Sequence, residues 1–83
     1  MNFFTRDDLQ YCYDWNTITD NGEFHRDDGH TVLSFINTFG SREGVQVKVI
    51  GHKIEKMLHE HLPEDITDPA IIYHWMISNW RRY

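Results

Sequence analysis

The sequence predicts an α+β domain: a short N-terminal helix, an antiparallel meander of three or four strands, then two helices packed on one sheet face. Three observations carry that expectation. Asn21-Gly22 stands between β-formers, the strongest short-range signal for a hairpin. Val45-Gln46-Val47-Lys48-Val49 alternates strictly, the period of a strand with one buried face. The only two prolines, Pro63 and Pro69, fall where one helical pattern stops and another starts. A chain of 83 residues has room for one domain, spanning 1–83, and for one core.

The first element is marked by Thr5 as N-cap, with Asp8 at the capping-box position and Phe4 and Leu9 at the staple positions. Asp7 and Asp8 suit the positive end of a helix dipole. Leu9, Cys12 and Tyr13 keep i, i+3, i+4 spacing, so a helix is expected over residues 6–14. Thr17-Ile18-Thr19 and Glu23-Phe24-His25 then flank Asp20-Asn21-Gly22 as a hairpin. Asp27-Asp28-Gly29 supplies a second turn, and 31–39 is dense in β-branched and aromatic residues. Gly40-Ser41-Arg42-Glu43-Gly44 reads as a third turn before the alternating 45–49.

A competing all-α arrangement makes 31–39 a helix ended by Gly40, and 42–62 one long helix. Val47, Ile50, Ile54, Met57, Leu58 and Leu62 do keep helical spacing. That helix would enclose Gly44 and Gly51, at about 1 kcal/mol each relative to alanine, and three valines in five positions. The strands are therefore preferred. From 52 to 62 the chain is helical on either reading and stops at Pro63. Asp68 and Pro69 are a preferred N-cap and a proline at the first helical position, opening a helix from 70 to 82. The expected core is Phe4, Leu9, Tyr13, Leu33, Phe35, Val47, Val49, Ile54, Leu58, Ile72 and Met76.

The composition, 40% hydrophobic and 14% aromatic, excludes a disordered chain. No apolar run approaches the ~20 residues that span a bilayer. Met1 to Asp8 reaches charge too soon for a secretory signal. One cysteine, Cys12, makes neither an internal disulfide nor a multi-thiolate zinc site, which points to a reducing cytoplasm. It sits on the apolar side of the first helix beside Leu9 and Tyr13, with no neighbour to activate it.

Six histidines raise a metal site. His52 and His59 share a helix side, but His59 and His61 lie about 200° apart on a helix and do not converge. A calcium loop over 17–28 would place Gly22 at position 6. Thr17 and Thr19 then stand where carboxylates are needed, and Asp28 where a longer Glu belongs. No phosphate loop, nucleophile elbow or Ser/His/Asp signature is present. The expectation is a non-catalytic protein with no cofactor and no metal.

Charge narrows the partner. The net charge is −5. Residues 1–44 hold eight acids and three arginines, and residues 45–83 hold five of each sign. An acid excess opposes duplex binding, which draws on phosphate neutralisation, and favours a basic partner such as the nucleic-acid groove of another protein. In the meander, Asp20, Glu23, Asp27 and Asp28 gather at neighbouring turns. At the other end Trp75, Trp80, Arg81 and Arg82 are residue types enriched at interface hot spots. These eight are the candidate partner-binding residues.

If Trp75 or Trp80 stays outside, a symmetric homodimer would cover it. In size, acidity and layout the chain resembles the small anti-defence inhibitors carried by phages and mobile elements. That likeness implies an inhibitor or regulator of a basic nucleic-acid-binding protein. The runner-up is a helical DNA-binding transcriptional regulator using Lys48, Lys53, Lys56, Arg81 and Arg82. Gly51-His52-Lys53-Ile54 is also similar to the glycine-led last helix of SAM domains, a likeness that leaves the first half and the final helix unaccounted for.

Overall fold

The computed structural model describes residues 3–15 and 24–83, and among these it holds three α-helices and no strand. The helices are α1 (Gly29–Glu43), α2 (Lys48–Glu60) and α3 (Pro69–Asn79), preceded by a single 3-10 turn over Arg6–Asp8. The α+β expectation is overturned in favour of the all-α arrangement, which itself needs correcting at Gly40 and Gly44. The Asp20-Asn21-Gly22 hairpin lies outside the described residues.

Each departure has a physical cause. Residues 31–39 are dense in β-branched and aromatic side chains, but Val32, Ile36, Phe39 and Gly40 fall on one helical face, and that face is buried. Asp28 starts α1: its carboxylate accepts from the His30 N–H at 3.0 Å and from the Thr31 hydroxyl at 3.0 Å. Gly44, at φ +69°, ends it in the left-handed conformation that glycine adopts without strain. Gly40 is inside α1, not at its end. Val47 is the extended N-cap of α2, and Val49 lies in its first turn, so both point to water at 53% and 71% exposure. Their alternation belonged to a turn and a helix start. The last helix opens as read: Asp68 accepts from the Ala70 N–H at 2.9 Å, with Pro69 in the first turn.

The expected N-terminal helix is cut to one turn. Asp8 does accept from the Thr5 N–H at 2.8 Å, as a capping box requires. However, the Gln10 and Tyr11 N–H groups, which a longer helix would use, donate to the Glu55 carboxylate at 3.0 and 3.2 Å. A buried acceptor on α2 therefore outcompetes the local helix.

Residues 3–15 run as an arm over α1 and α2, and glycines on the helices receive its rings. A Cβ at Gly40 would overlap Phe3, one at Gly51 would overlap Phe4, and one at Gly29 would overlap Trp15. Asn37 grips the same arm. It accepts from the Phe4 N–H at 3.0 Å and donates to the Phe4 carbonyl at 2.9 Å. The core comprises Phe4, Phe24, Val32, Ile36, Phe39, Ile54, Met57, Leu58, Leu62, Ile72 and Met76. Leu9, Tyr13, Leu33 and Phe35 pack on it half-buried. Of the expected core, only Val47 and Val49 are misplaced.

Candidate functional site

The last helix contributes only Ile72 and Met76 to the fully buried core. At 100° per residue the opposite face is Ala70, Ile71, His74, Ile77, Ser78 and Arg81, and all six are exposed. Ile71 and Ile77 are 53% and 46% exposed. His74 lies on the centre line of this face, with the two isoleucines one turn away on either side.

The flanks of α3 hold that face rigidly. Tyr73 packs on Phe39, with ring centroids 5.1 Å apart, and its hydroxyl donates to Glu43 at 2.6 Å. Burial and the Glu43 bond raise its pKa, burial contributing more. Lys53 of α2 donates to the Trp80 carbonyl at 2.7 Å and lies 4.1 Å over the Trp80 ring. His61 stacks on Tyr83 at 3.8 Å. These contacts fix where Arg81 and Arg82 leave the helix.

Of the candidate residues, Trp75, Trp80, Arg81 and Arg82 are brought to one end of the molecule. The tryptophans pack against the core as supports of α3, and both arginines are exposed. The large exposed apolar residues of α3 are the isoleucines, which the sequence reading left out. Their signal was the angular position opposite Ile72 and Met76. Asp27 is exposed just before the α1 start, whereas Asp28 is 5% exposed and occupied as the α1 cap. Asp20 and Glu23 lie outside the described residues. Asp14 joins this edge from the arm: its N–H donates to the Asp27 carbonyl at 2.7 Å, and its own carbonyl accepts from the Gly29 N–H at 3.2 Å. The acids Asp14 and Asp27 thus share one edge.

A second polar cluster lies under the arm. Glu55 is fully buried and accepts from Gln10 and Tyr11 N–H and from the Tyr13 hydroxyl at 2.6 Å. With its one proton given to Glu55, the Tyr13 oxygen is left to accept from His59 Nε2 at 2.7 Å. Burial, then the Glu55 hydrogen bond, raises the Tyr13 phenol. Burial lowers His59 from its ordinary value of 6.5, against the opposing pull of Glu55. The Tyr11 ring stacks on His59 at 4.2 Å, and its hydroxyl, bonded to Glu60, is pushed up to about 12. These donors are spent on holding the arm.

Among the described residues no three His, Cys, Asp or Glu side chains group to hold a metal. His59 and His61 are each taken up by a tyrosine ring. Cys12 is exposed, not on a buried helix side. A polar groove of about 540 Å³ runs along α1 past His30, Ser34, Asn37, Thr38, Ser41 and Arg42. No helix of the described residues is long and apolar enough to cross a membrane. Comparison with protein-family models, curated proteins and solved structures finds no match.

Proposed function

We propose that this is a non-catalytic helical domain that acts by binding another protein, with the outer face of α3 as its docking surface. The observation that carries this reading is the pair Ile71 and Ile77, exposed on a helix held rigid from both sides. A preorganised apolar stripe loses little entropy on binding, and Arg81 at its end is a hot-spot residue type. The acid excess of residues 1–44 adds long-range steering toward a basic partner, in the manner of a phage-type inhibitor of a nucleic-acid-binding protein. The exposed Cys12 thiol suits a cytoplasmic setting.

The test is capture with immobilised protein, parent against Ile71→Asp/Ile77→Asp. A partner retained by the parent and lost by the variant, with circular dichroism unchanged, supports the reading. Equal capture by both contradicts it.

One observation favours nucleic acid as a second reading. Only residues 44–47 join α1 to α2, with a left-handed glycine at the turn, as in helix-turn-helix modules. Two of the three α2 lysines are engaged: Lys48 pairs with Asp8, and Lys53 binds the Trp80 carbonyl. Retention on heparin that falls steeply with salt would support this reading.

A further inference from the structure

We propose that the occupant of the α3 face is a second copy of this chain, lying antiparallel about a two-fold axis beside His74. The inference rests on the reading of α3 as a docking face: in the free protein a second copy covers that face, and a partner protein must displace it.

The argument is self-complementarity. A two-fold contact brings residue i against j and j against i, so a patch must match its own reversal. About His74 the α3 face does so. Ile71 lies one turn before it and Ile77 one turn after, with small Ser78 and Ala70 just beyond. In an antiparallel pair about His74, Ile71 comes level with Ile77 of the second copy, and Ala70 with its Ser78. Each isoleucine meets an isoleucine and each small side chain a small one on both halves, so the apolar stripe covers its own reversal.

The charges reverse in the same sense. Glu64, Asp65 and Asp68 precede the helix, and Arg81 and Arg82 follow it, all exposed. Reversal sets the arginines of one copy beside the acids of the other. Two chains of net charge −5 repel at long range, but residues 45–83, which hold α3, are neutral as a set.

Size sets the strength. An 11-residue helix is about 16 Å long. A standard interface takes about 800 Å² per partner, and one helix face supplies less. The contact therefore belongs among weak interfaces, and the dimer should dissociate at micromolar concentrations.

The experiment has two arms. In sedimentation, the mass should rise from 10.0 kDa toward twice that value between low-micromolar and near-millimolar concentration. Ile71→Asp/Ile77→Asp should weaken this roughly a hundredfold, and Arg81→Glu/Arg82→Glu several-fold. In the second arm, His74→Cys in a Cys12→Ser background should form a disulfide-linked dimer on mild oxidation. Ser34→Cys on α1, in the same background, should not. Only residues at the axis bring two Cα atoms within disulfide range.

A 10.0 kDa species throughout, or equal cross-linking of the Ser34→Cys and His74→Cys variants, overturns the inference. The docking reading fails separately, only when Ile71→Asp/Ile77→Asp leaves partner capture unchanged.

Discussion

Glu55 gives one carboxylate to three donors of the arm, two backbone N–H groups and the Tyr13 hydroxyl. Removing it by Glu55→Ala leaves all three without that acceptor in a part-buried setting. The expected loss is about 3 kcal/mol or more in urea unfolding, from the desolvation of unpaired polar groups. Glu55→Gln, which keeps one acceptor oxygen, should lose less. The same cluster sets a pH dependence. His59 titrates below 6.5 in the folded state, so as pH falls through that value the unfolded chain binds the proton first. Stability is then complete above about 6.5 and declines below it, and His59→Gln should flatten that step. Further down, the Lys48 hydrogen bond, helped by Thr5, holds Asp8 at about 2 instead of 3.8. Its contribution is present above 3.8 and fades as pH falls toward 2. At the alkaline end Tyr11, Tyr13 and Tyr73 are all raised, so their phenolate absorbance should appear late in a titration.

At the scale of elements, helix glycines act as sockets for the arm. Gly51→Ala should help an isolated helix by about 1 kcal/mol. Here the methyl group meets Phe4, and overpacking should cost roughly 1–3 kcal/mol. Combining Gly51→Ala with Phe4→Ala should then be less damaging than the two single changes added, a coupling that a double-mutant cycle would measure. Nothing within Gly51-His52-Lys53 announces that socket, because the ring that fills it comes from the other end of the chain. The same limit explains what could and could not be read in advance. Asp68-Pro69 marks a helix start by local chemistry alone, and α3 begins there. Thr31 to Phe39 favours strands locally, and only the burial of Val32, Ile36 and Phe39 on one face decides for a helix. Leu9, Cys12 and Tyr13 have helical spacing, but Glu55 takes the N–H groups a helix needs. In the candidate site, Arg81 and Arg82 were legible as a charged end. Ile71 and Ile77 were overlooked because α3 is apolar most of the way round, although their angular position opposite the expected core residues Ile72 and Met76 marked the outer face.

For the whole molecule, the proposed function rests on the separation of the acid edge from the proposed docking face. The acid edge that includes Asp14 and Asp27 belongs to the arm and the start of α1, whereas the apolar stripe belongs to α3. Neutralising Asp20, Glu23 and Asp27 together, with Asp28 kept as the α1 cap, should slow association with a basic partner and weaken its salt dependence. The bound lifetime should change little, because steering acts on encounter. The central claim, that α3 is where another chain docks, is tested most directly by backbone amide spectra along a concentration series of the parent protein. The account predicts shifts concentrated at Ala70, Ile71, His74, Ile77, Ser78 and Arg81, with the α1 groove residues Ser34 and Thr38 unmoved. Spectra that stay constant to near-millimolar concentration, or shifts centred on the Asp14–Asp27 edge, would contradict it.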